Sequence, residues 1–123
     1  MGTWGSGNFD DDTAADHLSG LTGGILAGIE AAMSGDPVAI EPDEYWGVAV
    51  PCDVELLCLL AERGLVGVCL PAAATAADWK VRYLAVWDGA IDGLEPTPDY
   101  RRDRREVLVR TFDRLVELAG DRG

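Results

Sequence analysis

The sequence has little of what most often carries enzyme chemistry. It contains one histidine, His17, which excludes zinc sites built from several histidines and the HExxH pattern of metal-dependent hydrolases. No apolar run approaches the roughly 18 residues that a membrane-spanning helix needs. The first residues lack a basic segment followed by an apolar stretch, so we expect no secretory signal and predict a cytoplasmic protein.

The three cysteines do not form a recognisable pattern either. Cys52, Cys58 and Cys69 are an odd number, and their spacing matches neither a disulfide framework nor a CxxC metal site. Cys52 and Cys58 lie among Val, Leu and Ala, so we predict that both pack as small apolar side chains. There is no GxSxG sequence, and no serine stands near a credible base. We therefore assign no catalytic residue and no bound cofactor, and we favour a protein without enzymatic activity.

Basic residues are absent from the first half of the chain. Residues 1–62 hold twelve acidic residues and no Lys or Arg, whereas residues 99–123 hold six acidic residues and seven arginines. The net charge is −12. Such a surface repels phosphate groups, so neither nucleic acid nor an anionic membrane is an expected partner. It attracts basic proteins or divalent cations, or simply keeps the protein in solution.

Capping residues, glycines and prolines divide the chain into helices. They predict an all-α protein of one compact domain, residues 1–123, with about five helices and an extended N-terminal arm packed on the core. The predicted helices are Asp10–Ser19, Gly23–Met33, a third from about Pro42 to Arg63, a fourth from Thr75 to Gly93, and a fifth from Pro98 to Gly120. Residues 65–74 are apolar but isolated, which favours a connector over a strand.

The third helix carries the least regular pattern. Pro51 lies inside it, and because proline lacks a backbone N–H we expect a kink or a break, with Asp53 capping the second piece. An apolar stripe at helical spacing is predicted to face the core, and it comprises Tyr45, Ala49, Cys52, Leu56 and Leu59.

An acidic cluster stands at the N-terminus and has two interpretations. Asp10, Asp11 and Asp12 occupy the predicted cap and first turn of a helix, where carboxylates accept free N–H groups. Alternatively, a divalent cation such as calcium or magnesium binds a set of four side chains, although the spacing is not that of an EF-hand loop. The four candidate ligands are Asp10, Asp12, Asp16 and His17.

The glycine-rich arm that precedes this cluster contains two aromatic residues. A phosphate-binding loop needs a preceding strand, and only Met1 precedes Gly2. We therefore predict a structural role, in which the glycines let the arm turn while Trp4 and Phe9 insert between helices.

The opening string MGTWGSGNFDDDTAADHL resembles the start of the bacterial domain-of-unknown-function family 4259. The matching positions are Gly2, Trp4, Gly5, Gly7, Phe9, Asp10, Asp12, Ala15 and Asp16. The resemblance implies a small, helical, cytosolic bacterial protein. It implies no activity and carries over no catalytic residue.

Three functional hypotheses remain open. The first, which we favour, is a non-catalytic protein-binding module that presents its acidic half to a basic protein such as a toxin or nuclease, or to the Arg101–Arg105 cluster of a second copy in a homodimer. The second is a divalent-cation-dependent enzyme or sensor that uses the N-terminal Asp/His cluster. The third is a small-molecule pocket lined by aromatic residues, namely Trp46, Trp79, Tyr83 and Trp87.

Overall fold

The computed structural model describes residues 2–122, and most of these residues are helical. Four α-helices follow one another: α1 (Asp12–Ser34), α2 (Tyr45–Glu62), α3 (Ala73–Ala90) and α4 (Pro98–Arg122). Short 3-10 helices occupy Pro37–Ile40 and Ile91–Leu94. The only β geometry in this part of the chain is an isolated bridge near the N-terminus. The all-α prediction is confirmed, but the predicted number of helices is one too many.

The first two predicted helices are one continuous helix, α1. The sequence predicts a helix end at Gly20, but the helix continues through it. Side chains of α1 next to Gly20 form hydrogen bonds with a neighbouring loop. The buried Thr22 hydroxyl donates to the Leu18 carbonyl, 2.8 Å away, and accepts the N–H of Cys69 at 2.9 Å. Ser19 donates to the Gly67 carbonyl at 2.7 Å. These tertiary contacts outweigh the roughly 1 kcal/mol by which one glycine disfavours a helix interior.

That neighbouring loop is the apolar connector between α2 and α3, and its prediction as a connector is confirmed. Gly67 has φ of 103°, a conformation that other residues rarely adopt. A Cβ atom on Gly67 would lie 2.2 Å from the Ala15 carbonyl oxygen. The loop therefore reaches the backbone of α1 only because residue 67 has no side chain.

Helix α2 runs through Pro51 without interruption, so of the predicted kink or break, the break is wrong, and so is the capping role of Asp53. Proline leaves the carbonyl of Gly47, four residues earlier, without its helical donor. The buried Tyr83 hydroxyl of α3 donates to that carbonyl instead. Gly47 itself is buried against the preceding turn, and a Cβ atom there would lie 1.8 Å from the Glu41 carbonyl oxygen.

The last two helices differ from their predicted bounds only at their ends. α3 begins at Ala73, without a side-chain cap, rather than at the predicted Thr75, and it ends at Ala90 instead of Gly93. α4 begins as predicted, because the Thr97 hydroxyl accepts the N–H of Tyr100 at 3.2 Å. It continues past Gly120, where a stop was expected.

The core lies where α3 and α4 pack side by side and α2 and α1 close over them. Tyr83 and Phe112 contact each other there, with ring centroids 5.2 Å apart. Two ion pairs join α3 to α4 at the rim: Lys80 with Asp113 at 2.5 Å and Asp88 with Arg105 at 2.9 Å. The largest fully buried side chains are Trp87, Tyr83, Phe112, Ile29, Leu57, Leu108, Leu115, Val50, Val54 and Thr22. Among the described residues, no helix is both long and apolar enough to cross a membrane.

Candidate functional site

Helix α2 carries apolar side chains on two opposite faces, but the fold covers only one of them. The buried face comprises Gly47, Val50, Pro51, Val54, Leu57 and Cys58. An apolar helix face is normally buried against the rest of the protein. The uncovered face of α2 is therefore the most unusual surface of the molecule.

We call this uncovered face the α2 strip and define it as Tyr45, Val48, Cys52, Leu56 and Leu59. Exposed fractions are 75% for Tyr45, 53% for Val48, 49% for Leu56 and 52% for Leu59, and Cys52 is also exposed. At 100° per residue these five positions fall within one side of the helix. The prediction that Tyr45, Cys52, Leu56 and Leu59 face the core, with the half-buried Ala49, is thus wrong.

The prediction failed because apolar residues recur at helical spacing on both faces of α2, so periodicity alone does not tell which face is buried. Gly47 decides between them, because only a residue without a side chain can approach the carbonyls of Ile40 and Glu41. Once Gly47 faces inward, the stripe that contains Leu56 faces outward. The glycine in the first turn of α2 was the signal that sequence reasoning missed.

Carboxylates border the α2 strip on both sides. Asp43 and Glu44 precede its first residue, Asp53 lies along one edge, and Glu55 and Glu62 lie along the other. A shallow depression of about 440 Å³ at the N-terminal half of α2 joins the acidic and apolar groups. Partial burial raises the pKa of the Asp53 carboxyl.

The other half of the strip adjoins α4. A groove of about 420 Å³ there combines apolar and charged side chains of the two helices. Arg114 donates to Glu62 at 2.6 Å and to Glu117 at 3.0 Å, so Glu62 is already neutralised by an ion pair. The lining residues are Glu55, Cys58, Leu59, Glu62, Val107, Arg110, Thr111 and Arg114.

The N-terminal arm does not insert into the core, and the predicted wedge of Trp4 and Phe9 is wrong. Trp4 is 50% exposed and Phe9 is 38% exposed. The arm instead folds back on the start of α1, where Trp4 N–H donates to the Asp10 carbonyl at 2.8 Å. The Trp4 indole also donates to the Asp12 carboxylate at 3.0 Å. The arm is thus held by hydrogen bonds rather than by aromatic burial.

The acidic cluster is largely occupied by this arrangement. Asp11 caps α1 by accepting the N–H groups of Thr13 at 2.8 Å and Ala14 at 3.4 Å. A hydrogen bond from the Thr3 hydroxyl contributes most to lowering the pKa of the Asp11 carboxyl, and the bond from Thr13 follows. The Asp10 carboxylate accepts the N–H of Gly7 at 3.0 Å.

The proposed cation ligands are therefore engaged in different contacts. Asp10 and Asp12 bind groups of the arm, while Asp16 and His17 are exposed on α1. Among residues 2–122, no group of three or more His, Cys, Asp or Glu side chains is arranged to hold a metal ion. Cation binding by these four residues stays an untested prediction.

The aromatic residues considered for a pocket belong mainly to the core. Trp79, Tyr83 and Trp87 are buried, and Trp46 is half-buried, with its ring over Gly28. Burial raises the pKa of the Tyr83 hydroxyl to about 12, so it stays protonated and donates its hydrogen bond.

The cysteines fall into three environments. Cys58 is buried, and this burial, followed by the nearby Glu62 carboxylate, raises the pKa of its thiol to about 11. Cys69 is half-buried in the connector. Cys52 is exposed in the α2 strip, so its predicted packing as a buried apolar residue is wrong.

The arginine cluster of α4 is largely paired with carboxylates. Arg101 donates to Asp92 at 2.8 Å, and Arg105 makes two hydrogen bonds to Asp88, at 2.9 and 3.0 Å. Arg102 lies between Asp99 and Asp103. The surface groove of about 620 Å³ that these arginines line is therefore less attractive to a second copy's acidic half than the residue count suggests.

No family model, curated protein or solved structure matches this chain. The resemblance of the opening residues to family 4259 consequently stays a prediction. The candidate site rests on the geometry of α2 and its surroundings.

Proposed function

We propose that this protein is a non-catalytic binding module that holds a basic, amphipathic helix of another protein on its α2 strip. The observation that carries the proposal is the exposed apolar face of α2 between two edges of carboxylates. Contiguous apolar surface rimmed by polar groups is typical of protein-interaction sites.

The shape of the strip favours a helical partner. From Tyr45 to Leu59 the strip spans fourteen residue steps, or about 21 Å of helix axis. Side chains at this spacing offer a row of apolar contacts to a partner helix whose own anchors recur every three to four residues.

The charge around the strip favours a basic partner. Asp43, Glu44, Asp53 and Glu55 make no ion pair within the described part of the chain, residues 2–122. Lysine or arginine side chains that flank the apolar face of a partner helix would meet these carboxylates. Such complementarity raises the rate of association with a basic partner.

The test uses a synthetic amphipathic peptide of Leu and Lys, about 18 residues long, as the probe. We expect calorimetry to show binding that weakens as salt is added, and no binding of the matched Leu/Glu peptide. Leu56→Ser should weaken binding about tenfold. The matched control, Val81→Ser, changes a residue of α3 that is 68% exposed and lies outside the strip. Equal affinities of the two variants, or affinity that does not depend on salt, would contradict the proposal.

A further inference from the structure

The residues of the α2 strip are spaced symmetrically about Cys52. Val48 and Leu56 lie four positions before and after it, and Tyr45 and Leu59 lie seven positions before and after it. Two such strips placed face to face and antiparallel therefore match along their whole length. Cys52 would meet Cys52 of the second copy, and Val48 would meet the second copy's Leu56.

We infer that free molecules pair through this strip, with the two α2 helices antiparallel and crossing at Cys52, so that a partner must displace the second copy. The inference rests on the proposed function, because both use the α2 strip as a protein interface. A pair of this kind has two-fold symmetry, which is the commonest symmetry of protein dimers. The second copy regulates access to the site.

The ends of the strip differ in charge, which supports the antiparallel direction. Asp43 and Glu44 precede its first residue, whereas the other end carries both signs of charge. There Arg63 follows the last turn of α2, and Arg110 and Arg114 line the adjoining groove beside Glu55 and Glu62. Antiparallel pairing places the acidic end of each copy beside the arginines at the opposite end of the other. Parallel pairing would place the two acidic ends together.

At the centre of the pair, in contrast to its ends, like charges meet. Asp53 directly follows Cys52, so the two Asp53 carboxylates lie close to the two-fold axis and repel each other. Because both copies also carry a net charge of −12, added salt should strengthen the pair. The binding of a basic peptide responds to salt in the opposite direction, which separates the two proposals experimentally.

Cysteine cross-linking tests the pairing directly. In a Cys52→Ser background we would mix Val48→Cys and Leu56→Cys proteins under mild oxidation and compare the products. In the antiparallel pair, positions 48 and 56 face each other, whereas the two copies of position 48 are about 12 Å apart along the axis. A disulfide joins Cα atoms only about 4.4–6.8 Å apart. We expect the mixed 48–56 product to form at least about tenfold faster than either symmetric product.

Two controls accompany the cross-linking. A Val81→Cys protein in the same Cys52→Ser background reports random collisions at an exposed site outside the strip. Sedimentation equilibrium should show a dimer that weakens about tenfold in Leu56→Ser and strengthens in Asp53→Asn. Helical circular dichroism confirms that each variant is folded.

The outcomes are distinct. A monomer under high salt, or equal rates for the mixed and symmetric products, overturns the pairing. If the protein is a monomer but still binds the basic peptide, and Leu56→Ser weakens this binding, the pairing is wrong and the proposed function is supported. If the pair forms but the Leu56→Ser and Val81→Ser variants bind the peptide equally, the pairing stands and the proposed partner class is wrong.

Discussion

At the scale of single residues, the clearest physical relationship is the one between Pro51, Gly47 and Tyr83. Pro51 removes the N–H that would serve the Gly47 carbonyl, and a buried carbonyl without a donor is unfavourable. The Tyr83 hydroxyl supplies that donor from another helix. Proline is thus tolerated inside α2 because α3 compensates for it.

This relationship predicts the outcome of a double-mutant cycle. Tyr83→Phe should lower the free energy of unfolding by about 1–3 kcal/mol, because the Gly47 carbonyl loses its donor. In a Pro51→Ala background the loss should be smaller, since residue 51 then has an N–H of its own. Urea unfolding of the four proteins measures the coupling. Equal losses of unfolding free energy in both backgrounds would show that the Tyr83 hydroxyl does not compensate for the missing N–H of Pro51.

At the scale of the element, α2 shows how an apolar helix is oriented. Apolar side chains occupy both of its faces, so hydrophobicity alone gives no preferred direction. The inward direction follows from size, because Gly47 is the residue that fits against Glu41. Leu56 and Leu57 are adjacent in sequence, yet Leu57 is fully buried in the core and Leu56 is 49% exposed.

Adjacent leucines therefore make a sensitive test of the orientation. Leu57→Ala should cost about 2–5 kcal/mol of unfolding free energy, because it opens a cavity in a fully buried site. Leu56→Ala should change it by no more than about 0.5 kcal/mol in dilute protein, where the chain is monomeric. Denaturant titrations of both variants check this, and a larger loss in Leu56→Ala would reverse the assignment of faces.

At the scale of the whole molecule, ion pairs form mostly between residues of the second half of the chain, and most carboxylates of the first half have no basic partner within residues 2–122. Most arginines of α4 are matched by carboxylates of α3, of α2 or of α4 itself, as in the Asp88–Arg105 and Glu62–Arg114 pairs. Much of the positive charge of the second half is thereby paired within the fold. The excess of carboxylates stays on the first half, where the α2 strip is exposed.

The buried titrating groups predict how stability depends on alkaline pH. The pKa is raised to about 11 for Cys58, whose ordinary value is 9.0, and to about 12 for Tyr83, whose ordinary value is 10.0. The folded state keeps these protons after the unfolded state has lost them, so stability is full below pH 9 and falls between pH 9 and 12. Cys58→Ala should flatten the fall between pH 9 and 11, as measured by urea unfolding across pH.

The matched control is Cys52→Ala, which removes an exposed thiol and should leave the pH dependence unchanged. A stability curve for Cys58→Ala that parallels the wild-type curve would contradict the assignment of the buried thiol.

Sequence reasoning located most of the helices and the stripe of Tyr45, Cys52, Leu56 and Leu59, but it missed Val48 and did not identify the stripe as a candidate site. Thr97 and Pro98 start α4 as predicted, because a cap acts within a few residues of itself. The stripe on α2 was recognised, yet it was assigned to the core. Trp4 and Phe9 were assigned to the core on apolar area, whereas the polar contact of the Trp4 indole with Asp12 holds the arm outside.

The sequence by itself determined the all-helical class, several helix ends and the excess of acid in the first half, because each depends on neighbouring residues or on composition. The tertiary structure decided which face of α2 is buried, whether Gly20 and Pro51 interrupt a helix, and where the N-terminal arm lies. Those outcomes depend on contacts between distant residues, such as Tyr83 with Gly47 and Thr22 with Cys69, and helical periodicity carries no information about them.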